Sequence, residues 1–142
     1  MLGRLLQRPL QALTAEVNLL MAADGFADLR PAHSVVFINL DPEGTRISDL
    51  AERAQITKQS MGALVSYLEK RGYVSVSRDP RDHRAKLVRR TKKGLANELP
   101  ARRNVARVTE RWTRLLDEGE MEELVRLLRK LDDRLHKERE LM

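Results

Sequence analysis

The sequence predicts a mainly α-helical protein with one small β-hairpin. Three observations lead there. Apolar residues recur at alternating steps of three and four at both ends of the chain. Between those ends, two short amphipathic helices are joined by little more than Ala54-Gln55-Ile56-Thr57. Immediately after the second, Tyr73-Val74-Ser75-Val76-Ser77 alternates polar and apolar at strand period, and a basic arm returns from it.

Taken in order, Leu2, Leu6, Leu10, Leu13, Val17 and Leu20 form one stripe on a first helix. Pro9 is awkward inside it and is expected in the first turn, where a missing N–H costs nothing. AADGFADL reads as a loop. Pro31 suits the start of a second helix carrying Val35, Val36, Phe37 and Leu40. Asp41-Pro42-Glu43-Gly44 is a turn. Ile47 to Ala54 is a short helix with Ser48 as its expected N-cap. Thr57 caps the next helix, whose buried face is Met61, Leu64, Val65 and Leu68. Gly72 stands where a helix-terminating glycine belongs. Arg78 to Arg84 supplies turn residues, and Ala85 to Arg90 is a second short strand. Thr91 caps a further helix, which Pro100 should kink or interrupt. Val105, Val108, Trp112 and Leu115 continue an apolar stripe. Asp117 and Glu120 resemble a capping box. Met121, Leu124, Leu128, Leu131 and Leu135 then make a heptad seam.

The chain has 142 residues, so one domain with a modest core is expected. No apolar run reaches the ~20 residues of a membrane span. The N-terminus carries charges within its apolar pattern and does not read as a secretory signal. There is no cysteine, which excludes disulfides and thiolate metal sites and fits a cytoplasmic setting. The formal charge is +6. Residues 78–94 hold eight Lys or Arg against two Asp, a surplus of six, so the rest of the chain sums to zero. Such a basic segment points to a polyanionic partner, nucleic acid first and a membrane surface second. Yet a disordered basic tail needs neither the two aspartates nor the apolar pair Leu87-Val88.

Two helices with a short turn form a helix-turn-helix, and a hairpin directly after it makes the winged-helix arrangement. The stretch ISDLAERAQITKQSMGALVSYLEKRGYVSVSRDPRDHRAKLVRRTKKG resembles the DNA-binding core of the multiple antibiotic resistance regulator (MarR) family. The specific phrases are Leu50-Ala51, Leu64-Val65 through Leu68-Glu69, Gly72-Tyr73-Val74, Asp79-Pro80-x-Asp82-x-Arg84, and Thr91 to Gly94. The wing phrase is the most specific of them. The helices before and after also follow that family's order. The resemblance implies a winged helix-turn-helix core at about 31–94, flanked by dimerisation helices at about 2–23 and 95–140. It implies a homodimer on double-stranded DNA. The terminal stripes support this independently, being too long for a winged helix alone to bury.

On the second helix of the pair, subtracting the buried face leaves Lys58, Gln59, Ser60, Ala63, Ser66 and Tyr67. Gln pairs with adenine, Lys with guanine, and the Ala63 methyl can touch thymine. Helix N-terminal residues reach deepest, which favours Thr57, Lys58, Gln59 and Ser60. In the wing, the resemblance implies that Arg84 enters the minor groove with Asp82 holding it. A narrow A·T groove attracts a guanidinium, and a carboxylate can pre-orient it. Arg78 and Arg81 are expected on phosphates. The bland alternative is a solvated hairpin with weak ion pairs. The sequence departs from the family at three places. Gly62 and Ala63 stand where Thr and Arg are common. Gln55 replaces a turn glycine, which predicts some strain. Arg90 replaces a leucine and is expected to cover the core with its stem and send its charge to solvent.

His33, His83 and His136 have no metal-ligand spacing, and neither a phosphate loop nor a nucleophile motif is present, so no metal, no cofactor and no enzyme activity are expected. Family members often bind a small aromatic or phenolic molecule, and by position His33, Phe37 and Trp112 could lie near such a crevice; ordinary core packing is the competing reading. The function that follows is a sequence-specific DNA-binding repressor acting as a homodimer on a pseudo-palindromic site, open to release by a small-molecule effector. A basic RNA- or ribosome-binding protein is the alternative from another class. A helical adaptor with a basic hairpin is the third.

Overall fold

The computed structural model describes residues 1–142. The elements are α1 (Leu2–Met21), α2 (Ser34–Asn39), β1 (Thr45–Arg46), α3 (Ile47–Ala54), α4 (Lys58–Lys70), β2 (Val74–Asp79), β3 (Asp82–Arg90), α5 (Lys92–Ala96), α6 (Glu98–Leu115) and α7 (Glu118–Leu141). The fold is mostly helical, as the sequence predicts, with a small antiparallel sheet ordered β1-β3-β2. Strand β1 is the addition. It pairs Thr45 with Val88 and Arg46 with Leu87. Two residues are too few to show a period in sequence.

The chain forms two units, Met1–Asn104 and Val105–Met142, and the division falls within α6. In the first unit the core is Leu29, Val36, Leu50, Ala51, Met61, Val65, Leu68, Tyr73, Val74 and Val88. Each fully buried aliphatic of this size contributes roughly 1.5–3 kcal/mol by leaving water. Met61, Val65 and Leu68 from α4 are at most 2% exposed, and Leu64 beside them is half-buried, so the predicted face is the buried one. The helix ends where expected. The Gly72 N–H donates to the Glu69 carbonyl and the Tyr73 N–H to the Leu68 carbonyl, with Gly72 at φ 82°. That left-handed closure needs glycine. The Asp41–Gly44 turn is closed by the Gly44 N–H donating to the Asp41 carbonyl at 3.0 Å.

Several boundaries fall elsewhere than the sequence suggests. Helix α1 begins at Leu2, so Pro9 lies inside it rather than in its first turn. Its ring removes one i→i−4 bond, and the Leu5 carbonyl faces it without a donor from that residue. Within the 22–29 segment, Ala22–Phe26 forms a wide helical turn interrupted at Gly25, φ 97°, and only the residues after Phe26 are turn and irregular chain. Ser48 does not cap α3. Pairing with Leu87 holds Arg46 extended, and the helix starts at the next residue, which puts Ser48 inside its first turn. The hairpin turn is only Pro80-Arg81, because β2 continues to Asp79 and β3 starts at Asp82. The helical break before Pro100 falls at Asn97, leaving Pro100 in the first turn of α6, where proline is tolerated.

After β3, Thr91 Oγ1 accepts the Gly94 N–H at 3.1 Å and donates to the Gly72 carbonyl. This clamps α5 onto the end of α4. Gly94 is buried so tightly that a Cβ there would sit 2.0 Å from the Tyr73 carbonyl oxygen.

In the second unit, the capping box at the start of α7 forms as predicted. Asp117 Oδ1 accepts the Glu120 N–H at 2.8 Å, and Glu120 Oε2 accepts the Asp117 N–H at 3.2 Å. Met121 is buried, whereas Leu124, Leu128, Leu131 and Leu135 are 42%, 44%, 46% and 48% exposed. The heptad seam is therefore a half-open apolar face along α7. No helix is long and apolar enough to cross a membrane.

Candidate nucleic-acid interface

Helix α3 ends at Gln55, which adopts φ 56°, ψ 40°, the one non-glycine residue with positive φ. Its N–H donates to the Glu52 carbonyl, and the Ile56 N–H reaches the Ala51 carbonyl at 3.1 Å. A left-handed L-residue costs about 1–2 kcal/mol, so the strain anticipated from the missing glycine is present. Thr57 then opens α4. Its Oγ1 accepts the Ser60 N–H at 3.0 Å and donates to Ser60 Oγ at 2.9 Å. Thr57, Lys58, Gln59, Ser60 and Ala63 are all exposed, opposite the buried face. Gly62 has open space around the position of a Cβ.

Tyr67 is not on this open face. Its hydroxyl donates to the Asp28 carbonyl at 2.6 Å, and its ring is stacked against His33, with centroids 4.3 Å apart. The Arg71 guanidinium lies 3.5 Å from the ring centroid. The Tyr73 hydroxyl donates to the Asp28 carboxylate at 2.7 Å. Asp28 thus ties α4 and the residue that leads into β2 to one point through two tyrosines. The sequence signal for Tyr67 is ambiguous, because its partners lie 30 to 40 residues earlier in an irregular segment.

In the wing, Arg78, Arg81 and Arg84 are exposed, the Arg84 side chain by 95%. Asp82 Oδ1 accepts the Arg84 N–H at 3.0 Å and lies 3.7 Å from its Nε. The tighter carboxylate is Asp79, which is buried. It accepts the Arg81 N–H at 2.9 Å through Oδ1 and Arg46 Nε at 2.6 Å through Oδ2. Those bonds, the Arg81 N–H first, hold its carboxyl below the ordinary range. Nothing local in the sequence marks Arg46 as its partner.

The basic segment divides by role. Arg89 Nε donates to the Glu43 carbonyl and Lys93 Nζ to the Arg71 carbonyl. Arg90 departs from the expectation that its charge reaches solvent. Its guanidinium donates to the Phe37 carbonyl at 3.2 Å, lies 4.9 Å from the Phe37 ring centroid, and pairs with Glu98 at 3.6 Å. With α2 ending at Asn39, the Phe37 carbonyl is one of its last acceptors; it takes the Leu40 N–H at 3.4 Å and the Arg90 guanidinium as a second donor. Burial lowers the pKa of Arg90. The cationic side chains facing solvent on the wing are Arg78, Arg81, Arg84 and Lys86, the last opposite Arg78.

Of the positions considered for a small ligand, His33 is buried in the Tyr67 stack, and its Nδ1 accepts the Arg30 N–H at 2.9 Å. Phe37 is half-buried, edge-on to Tyr73. Trp112 is half-buried in the 105–142 unit.

Two short helices with a left-handed turn, a polar outer face on the second, and a basic hairpin tied beside them define a winged helix-turn-helix protein. Residues 27–85 match the model of the MarR family. No curated protein matches the sequence. Among solved structures, the transcriptional repressor CouR bound to a 23-mer DNA duplex is 27% identical, with TM-score 0.75, over 93% of this chain and 92% of that one. BpsR from Bordetella bronchiseptica, whose DNA binding is regulated by 6-hydroxynicotinic acid, is 26% identical, with TM-score 0.73, over 92% and 98%. A mutant MarR from E. coli shares the fold at 21% identity, TM-score 0.76, over 92% and 96%. Of these, CouR is a transcriptional repressor and BpsR a DNA-binding protein whose binding is regulated.

Proposed function

We propose that the protein is a sequence-specific repressor that binds double-stranded DNA as a homodimer on a pseudo-palindromic site. The observation that carries this is the exposed row Thr57, Lys58, Gln59, Ser60 and Ala63 on a capped, well-anchored α4, beside a wing bearing Arg78, Arg81 and Arg84. The helix row addresses base edges in the major groove. Arg84, with Asp82 beside it, addresses the minor groove, and Arg78 and Arg81 address phosphates. The core at about 31–94 reads DNA, and the helices at about 2–23 and 95–140 bring two copies together. Exposed Leu2, Leu5, Leu6 and Leu10 on α1, and the half-open leucine face of α7, support that division. Two recognition helices then address half-sites roughly 10 bp apart. The DNA-bound relative CouR supports the partner.

A small aromatic or phenolic effector that favours a different spacing of the wings lowers DNA affinity through that coupling. The regulation of BpsR by 6-hydroxynicotinic acid supports this class. The protein works in the cytoplasm, where promoter DNA lies.

The test is selection of bound duplexes from a random library, with and without phenolic ligands. A pseudo-palindromic consensus is expected, with affinity falling steeply as salt rises. Gln59→Ala should then change base preference at one position per half-site. Tighter binding to structured RNA than to any duplex would replace this reading with the RNA-binding one.

A further inference from the structure

We propose that Arg46 and Asp79 form a brace that holds the wing tip at a fixed position relative to the helix-turn-helix, making both positioning residues for DNA binding. This rests on the function proposed above.

The regular pairing of β2 with β3 runs out before the tip. Arg78 opposes Lys86, but the next residue, Asp79, opposes Asp82, so His83, Arg84 and Ala85 bulge out of register. A two-stranded ribbon is marginal in water by itself. Here its end is also irregular, and it carries the two arginines, Arg81 and Arg84, with most to do at DNA. An unsupported tip would lose conformational freedom on binding, and that loss subtracts from affinity.

The Asp79 carboxylate supplies support from outside the ribbon. One oxygen holds the Arg81 backbone N–H, and the other holds Arg46 Nε, 33 residues away in sequence. The Asp79 side chain is 8% exposed and that of Arg46 37%. Arg46 is the last residue of β1 and the residue from which α3 springs. A charge-assisted bond, buried at its Asp79 end, thus runs from the wing turn to the residue that opens the helix-turn-helix. Such bonds are short and directional, unlike exposed ion pairs. Asp82 and Asp49 add further negative potential at Arg46. The brace also explains why a basic wing keeps an aspartate that cannot face phosphate.

A double-mutant cycle tests this. In the wild-type background, Arg84→Ala should weaken duplex binding by roughly tenfold or more. In an Arg46→Met background, which keeps the stem and removes the charge, the wing is no longer presented, and Arg84→Ala should add little. Arg46→Lys should restore part of the Arg84 penalty. Equal Arg84→Ala penalties in both backgrounds would make Arg46 a separate DNA contact or an inert residue and overturn the brace. If Arg46→Met fails to fold, Asp79→Asn carries the same cycle. Amide hydrogen exchange at Arg81 and Arg84 decides the matter without DNA. Faster exchange in Arg46→Met, with thermal unfolding and exchange of the α4 amides unchanged, supports the brace; unchanged exchange at the tip refutes it. Should the wild-type protein bind no duplex, the function fails, while the exchange result still judges the brace.

Discussion

Gln55 and His33 each hold a conformation or protonation state that an ordinary residue at that site would not choose. Gln55 sits at φ 56° to end α3. Glycine reaches that region freely but loses more entropy on folding, so Gln55→Gly should raise stability by only about 0.5–1 kcal/mol. A denaturant midpoint at or below that of wild type would show that contacts of the glutamine offset its backbone strain. His33 is a different case. Burial first, then the cations Arg30 and Arg71, hold its pKa below the ordinary 6.5, against a smaller opposing pull from Asp28. Its Nδ1 also accepts the Arg30 N–H, which the protonated ring cannot do. The unfolded chain therefore takes up this proton first, and stability should decline as pH drops through 6.5 toward the folded value. An NMR titration of His33 with a midpoint at or above 6.5 would contradict this.

At the scale of elements, α4 and α5 depend on glycines and threonines in different ways. Gly72 closes α4 through its φ, whereas Gly94 in α5 is required by proximity. An added methyl at position 94 would meet the Tyr73 carbonyl at 2.0 Å. Backbone must move to admit it, so Gly94→Ala should cost roughly 1–3 kcal/mol in chemical denaturation, as overpacked sites do. A midpoint like that of wild type would mean that α5 is free to lift away. Legibility in the sequence follows the same division. Thr57, Gly72, Thr91 and the Asp117–Glu120 box were readable because capping is settled within four residues. The open face of α4 was readable by subtracting its apolar stripe, and that placed Thr57, Lys58, Gln59, Ser60 and Ala63 correctly on the surface. Strand β1, the Arg46–Asp79 bond and the burial of Tyr67 were not readable. Each depends on partners some 33 to 43 residues away, brought near only by the fold. Arg90 shows the same limit, because its acceptors Phe37 and Glu98 lie on two other elements.

For the whole molecule, the apolar surface along α1 and α7 matters most. Leu128 and Leu131 are each nearly half exposed in one copy of the chain. Burying a leucine fully is worth roughly 1.5–3 kcal/mol, and a charge placed there would forfeit it. Leu128→Glu should therefore shift the proposed dimer toward monomer in sedimentation or light scattering, while thermal unfolding of the 1–104 unit changes little. Undiminished dimerisation would move the interface off this face. If the proposed dimer is the form that binds DNA, the half-open leucines also carry a consequence for dosage. A regulator that must meet a second copy before it holds DNA responds to its own abundance. When most chains are monomeric, the number of operator-competent pairs follows the square of the concentration, so halving the supply cuts promoter coverage about fourfold. Modest changes in synthesis or turnover of this protein would then act as a second input to the gene, alongside any effector.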